Sequence, residues 1–133
     1  MESRIEKAVM KKKNGYNCAQ AVACTYCDYA GCSEEEMFNI CQSFGAGMGT
    51  LEGTCGAISG AGIVLGMMNR NKKQTTKDIR KIMQKFKEQN STVICKNLKG
   101  IGTGKVLREY NDCVRDAAIF LEEIIEEKGV EQI

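Results

Sequence analysis

Eight cysteines and no histidine set the chemistry open to this chain of 133 residues. The cysteines are Cys18, Cys24, Cys27, Cys32, Cys41, Cys55, Cys95 and Cys113. Without histidine, Ser-His and Cys-His nucleophile pairs are excluded, as are histidine metal sites. Thiolate ligation of a metal, thiol redox chemistry and plain packing remain. Cys55 stands out by its surroundings, GTLEGTCGAISGAG at 49–62, where a glycine-rich segment runs into a glycine-rich helix. A thiol in the first turn of a helix sits at the positive end of the macrodipole, among unpaired N–H groups, and both favour thiolate. Gly53 and Gly56, on either side, let backbone approach whatever the sulfur touches and can offer N–H donors to a cofactor or to anionic sulfur. The same spacing has a blander reading. Gly56, Gly60, Gly62 and Gly66 form overlapping small-xxx-small repeats, which suit a close helix crossing with an incidental cysteine.

The other cysteines divide in two. Cys18 and Cys113 lie on apolar stripes and Cys95 precedes a basic loop; taken singly, each reads as a small packing residue. Cys24, Cys27, Cys32 and Cys41 form C-x2-C-x4-C-x8-C, which matches neither common ferredoxin order. The CTYC pair falls in mid-helix, where its sulfurs would face one side like a metal half-site, whereas a redox dithiol wants its first cysteine at a helix N-terminus. These four read as packing and surface thiols, with a second metal or redox site as the alternative.

The elements that must position these residues are helical throughout. Ile5, Ala8 and Val9 mark a helix at 3–13, ended by Asn14-Gly15. Asn17 is an N-cap for a helix at 18–30, with Cys18, Val22, Thr25, Tyr26 and Tyr29 on one stripe and Gly31 as its stop. Ser33 and Glu36 make a capping-box pattern for a helix at 34–43. The glycine-rich segment 45–53 leads into a helix at 55–69. Thr75 or Thr76 opens a helix at 76–89 with Ile79, Ile82, Met83 and Phe86 inward. Residues 91–98 fit a short helix or an extended piece, and 100–104 a loop. A last helix at 105–128 carries Val106, Tyr110, Cys113, Ala117, Phe120, Leu121 and Ile124 on one face, and Gly129 stops it. No convincing strand alternation or solenoid repeat occurs. The expected fold is a single all-α domain over 1–133, a bundle of five to six helices with the glycine/alanine-rich helix at its centre.

Composition narrows the function classes. Nineteen basic and seventeen acidic residues give a net charge of +2, too small to argue for nucleic acid, and eight Tyr and Phe with no Trp make a base-stacking surface unexpected. The N-terminus has no secretory h-region, and 54–68 is too short and glycine-rich to span a bilayer. A cytoplasmic protein without membrane contact is expected, and a reducing compartment disfavours a disulfide framework. Two phosphate-loop decoys fall away. SFGAGMGTLEG follows a helix rather than a strand, and in GIGTGKV, Lys99 and Val106 stand where glycine and Ser or Thr would be needed.

Four stretches together resemble the C_GCAxxG_C_C family of redox-active proteins: NCAQAV at 17–22, GTCGAISG at 53–60, ICKNLKG at 94–100 and DCVRDAA at 112–118. The resemblance covers about Gly15 to Ile125 and maps the family's four characteristic cysteines onto Cys18, Cys55, Cys95 and Cys113. It implies redox function and an iron–sulfur cluster. The haem attachment of some relatives does not carry over, because no CxxCH is present, and the four further cysteines depart from the pattern. The expectation is an iron–sulfur electron carrier with Cys18, Cys55, Cys95 and Cys113 as ligands and an unidentified redox partner protein. The alternatives are a thiol–disulfide oxidoreductase attacking through Cys55, and a structural zinc site of the same four cysteines. No general acid–base pair or substrate pocket can be read.

Overall fold

A computed structural model describes residues 1–129 of the chain. In order come α1 (Ile5–Lys13), α2 (Cys18–Thr25), α3 (Cys27–Ala30), α4 (Glu34–Ile40), α5 (Gly56–Asn69), α6 (Lys72–Asn90), α7 (Cys95–Lys99) and α8 (Tyr110–Glu127). Six of these have seven residues or more; α3 and α7 are single turns of four and five. Among the described residues there is no strand, only an isolated antiparallel bridge between Thr54 and Ile94. The fold is all-α.

Several boundaries follow local chemistry legible in the sequence. The Asn17 side chain accepts from the Gln20 N–H while the Gln20 side chain accepts from the Asn17 N–H, a reciprocal cap that opens α2. The Ser33 hydroxyl caps α4 by accepting from the Glu36 N–H at 3.1 Å, and it donates to the Glu36 carboxylate at 3.2 Å. Other boundaries differ. The helix expected at 18–30 breaks at Tyr26 (φ −114°, ψ 20°) into α2 and α3, and Gly31 ends α3 in the left-handed region. Tyr26 is fully buried and its hydroxyl donates to the buried carboxylate of Glu122, so a tertiary bond competes with local helix continuity there. The helix expected from 76 begins at Lys72, because Asn71 rather than Thr75 caps it through the Gln74 N–H. The last helix starts at Tyr110, not 105. Val106 therefore lies outside it and is 54% exposed instead of on the core face.

The glycine/alanine-rich helix is central. α5 touches α2, α3, α6 and α8, and its Gly56, Ala57, Ile58, Gly60, Ala61, Val64 and Leu65 are buried. Its glycines serve two neighbours. A Cβ built on Gly60 would stand 2.5 Å from the Ala19 carbonyl oxygen, and one on Gly56 would stand 3.4 Å from Cys18 Cβ, so this edge admits the backbone of α2. Gly62 and Gly66 face Ile79 and Thr75 of α6 at 3.3 and 3.9 Å. A close helix crossing compensates the lower helix propensity of glycine, about 1 kcal/mol per residue. α8 supplies the opposing wall with Val114, Ala117, Ala118, Leu121, Ile124 and Ile125, and α1 packs on it.

Candidate functional site

Cys18, Cys55, Cys95 and Cys113 occupy comparable places in four different helices. Cys18 is the first residue of α2, Cys55 the residue capping α5, Cys95 the first of α7 and Cys113 the fourth of α8. All four are buried, at 4%, 1%, 2% and 0% exposure.

Backbone contacts bring the four together. Residues 53–55 and 93–95 run antiparallel around the Thr54–Ile94 bridge: the Cys55 N–H donates to the Val93 carbonyl at 2.8 Å, and the Cys95 N–H donates to the Gly53 carbonyl at 3.0 Å. This two-bond clamp sets Cys55 opposite Val93 and Cys95 opposite Gly53, so the two cysteines lie diagonally across the bridge on one face of the ribbon. The Gly53 N–H donates to the Gly47 carbonyl at 3.0 Å, so Gly53 is placed as a positioning glycine whose own donor is already engaged. A Cβ on Gly47 would come within 2.7 Å of Cys95 Cβ, and Gly47 has φ +55°. Only glycine meets both conditions. Around it Ala46, Met48 and Leu51 also lie in the left-handed region, a strained turn of roughly 1 kcal/mol or more per residue packed directly behind Cys95. Cys18 arrives through the close α2–α5 crossing at Gly56 and Gly60.

Cys113 closes the group from α8. Its thiol donates to the Arg108 carbonyl at 3.8 Å, and the nearby Cys55 thiol, followed by burial, pushes the Cys113 pKa well up. Against this, Lys99 Nζ donates to Cys113 Sγ at 3.3 Å and to the Arg108 carbonyl at 3.2 Å. Burial pushes Cys18 up to about 11, while the positive charges of Lys12 and Lys99 pull it down and Cys113 and Cys95 push it further up. Cys95 is raised, chiefly by burial. The Tyr110 phenol is raised, first by burial and then by the charges of Cys95, Cys18, Cys113 and Cys55.

The sequence reasoning missed the polar cover of this cluster. The Lys99 ammonium lies 3.8 Å from the centre of the Tyr110 ring and that of Lys12 lies 5.2 Å from it. Lys12, Lys99, Val106, Glu109, Tyr110 and Asn111 line a groove of about 360 Å³ outside the sulfurs. The bidentate Arg108–Asp116 pair, at 3.0 and 2.9 Å, with Asn90 also donating to Asp116, ties the preceding loop to α8 and α6. Helical spacing could have found Lys99, four residues after Cys95, and Tyr110, three before Cys113. Nothing local in the sequence places Lys12 beside them.

Cys24, Cys27, Cys32 and Cys41 lie apart, around α2–α4. Cys24 is pushed up to about 12 and Cys41 to about 11, in both cases chiefly by burial. Cys24 and Cys41 are core residues, and Cys27 and Cys32 pack partly buried against them. All eight cysteines are unpaired. Among the described residues, no three cysteine, aspartate or glutamate side chains are placed around a single point that could hold one metal ion. No described helix is long and apolar enough to cross a membrane.

The family model described as "Putative redox-active protein (C_GCAxxG_C_C)" matches residues 16–124, a span that contains every cysteine of the chain. No curated protein and no solved structure matches. With more than half its length inside that match, the chain belongs to the C_GCAxxG_C_C family of redox-active proteins.

Proposed function

We propose that Cys18, Cys55, Cys95 and Cys113 hold an iron–sulfur cluster and that the protein is a cytoplasmic electron carrier serving another redox protein. The observation that carries this is four buried cysteines at the starts of α2, α5, α7 and α8, with α2, α5 and α8 packed on one another and residues 53–55 and 93–95 joined by the Thr54–Ile94 bridge. The donor set fits such a group, because the four sulfurs are soft ligands. An iron–sulfur cluster with four cysteines takes one or two sulfurs per iron, whereas a structural zinc site needs four donors at about 2.3 Å from one ion. When bound, the cluster supplies a one-electron reservoir whose potential depends on burial and on hydrogen bonds to sulfur. The chain contributes thiolates, exclusion of water, and the Lys99 ammonium, which offsets negative charge at Cys113. Eight unpaired cysteines suit a reducing compartment.

The nearness of Cys113 to Cys55 favours a second function, thiol–disulfide exchange. There Cys55 thiolate would attack a partner disulfide, forming a mixed disulfide and releasing one partner thiolate. Cys113 would then displace the second partner sulfur, leaving a Cys55–Cys113 disulfide and a reduced partner. Single Cys→Ser substitutions separate the two. Cluster ligands act as one unit, so serine at 18, 55, 95 or 113 should lower iron and sulfide content comparably. Unequal effects, with Cys113→Ser trapping a mixed disulfide and iron content unaltered, would assign exchange instead.

A further inference from the structure

The four sulfurs are at most 4% exposed, so no partner reaches them without passing their cover. That cover is the groove between α1, the C-terminal end of α7 and the start of α8. Resting on the electron-transfer function above, we infer that this groove and the 100–109 loop beside it form the docking face for a small electron-carrier protein with an acidic rim and an apolar centre.

Two properties of the face select that partner. The first is apolar surface. Eight large apolar side chains are exposed among the described residues, and four of them, Ile101, Val106, Leu107 and Tyr110, fall within ten residues of sequence on this loop and at the start of α8. The loop is held in shape, not draped. Leu107 and Arg108 N–H both donate to the Leu98 carbonyl at 2.9 and 3.1 Å, and a Cβ on Gly100 would meet the Lys105 carbonyl group at 2.7 Å. A concentrated, preformed apolar patch over a buried functional group is the mark of an interaction site.

The second property is charge. Lys12 and Lys99 flank the Tyr110 ring with no carboxylate at ion-pair distance among the described residues, and Lys96 and Lys105, on α7 and the loop, are equally unpaired. Glu109 is the one acid lining the groove. Unpaired cations around an apolar centre steer acidic partners and repel basic ones. A second copy of this chain is disfavoured, since a two-fold interface here would set lysines against lysines. α6 carries more lysines (Lys72, Lys73, Lys77, Lys81, Lys85 and Lys87) but none of the eight exposed large apolar side chains. Tyr110 is 38% exposed and its ring centre lies 3.8 Å from the Lys99 ammonium, which donates to Cys113 Sγ at 3.3 Å, so a partner seated on Tyr110 would be separated from Cys113 by these two side chains.

The test reads binding, not electron transfer. An acidic flavodoxin is titrated into the anaerobically purified protein, with a basic c-type cytochrome as the control, and the contact is mapped by hydrogen-exchange mass spectrometry. We expect protection of peptides spanning Lys12 and 96–111, and an affinity at least tenfold weaker at about 200 mM than at about 20 mM salt. Lys105→Glu, on the loop and without any contact to the cysteines, should weaken binding at least threefold without altering visible absorption. Protection centred on α6, binding that ignores salt, equal binding of the cytochrome, or no binding at low salt would each overturn the assignment. Docking as described in a protein without iron and sulfide would instead remove the electron-carrier function and leave the face intact.

Discussion

Replacing Gly60 by alanine should destabilise the protein, although alanine is the better helix former. The gain from helix propensity is about 1 kcal/mol. Against it, the new methyl group would stand 2.5 Å from the Ala19 carbonyl oxygen, 3.1 Å from Ala19 Cα and 3.2 Å from its carbonyl carbon. These are backbone atoms of α2, so no side chain can swing away, and the two helices must separate by about 1 Å. Overpacking of this kind costs up to about 3 kcal/mol, leaving a net loss of about 2 kcal/mol. At roughly 2.1 cal/mol/K of unfolding entropy per residue, a chain of 133 residues converts that into a Tm about 7 °C lower. Gly66 provides the internal control, because its nearest neighbour, Thr75 Cγ2, lies at 3.9 Å, an ordinary contact. Gly66→Ala should raise stability by roughly 0.4–1 kcal/mol through the unfolded state. Anaerobic thermal melts followed by circular dichroism measure both. Equal or increased stability of Gly60→Ala would refute the close α2–α5 crossing, and with it the means by which Cys18 reaches Cys55.

Alkaline pH should weaken the metal-free, reduced protein. Burial raises Cys18 to about 11, Cys24 to about 12 and Cys41 to about 11 from an ordinary 9.0, so the folded state prefers these thiols protonated. Their contribution is complete below pH 9 and is lost as pH rises through 11–12; Tm measured from pH 8 upward should fall above 9, and a rise there would contradict the burial of these thiols. Lys99→Met removes the cation 3.3 Å from Cys113 Sγ. In an electron carrier the reduced state then loses a stabilising charge, so the midpoint potential should drop by roughly 60 mV, equivalent to about 1.4 kcal/mol for one electron. An unchanged or higher potential by spectroelectrochemistry would detach Lys99 from the redox group.

Much of the fold was legible because helix ends depend on nearby residues. The Asn17–Gln20 and Ser33–Glu36 caps, the Gly31 stop and the Gly56–Gly60 crossing each need only a few residues of context. Where long-range bonds decide, local pattern failed. The break at Tyr26 goes with its bond to Glu122, 96 residues away. The late start of α8 accompanies loop residues 107 and 108 donating back to Leu98 and Arg108 pairing with Asp116. At the site, the four cysteines were grouped by family resemblance rather than by spacing, since 36, 39 and 17 residues separate them in sequence. What brings them together is nonlocal: a single antiparallel bridge at Thr54–Ile94, and a glycine contact at Gly47 that no periodicity encodes. Lys12 and the sandwiched Tyr110 ring were invisible for the same reason.

The most direct test of the central claim is anaerobic purification followed by visible absorption spectroscopy with iron and acid-labile sulfide assays, on the wild-type protein and on Cys55→Ser. A cluster held by Cys18, Cys55, Cys95 and Cys113 predicts iron and sulfide in comparable amounts and charge-transfer absorption that bleaches on reduction. It also predicts a lower iron and sulfide content, or an altered spectrum, in Cys55→Ser. Wild-type protein without iron or sulfide after anaerobic reconstitution, or a Cys55→Ser protein with full occupancy and an unchanged spectrum, would contradict it.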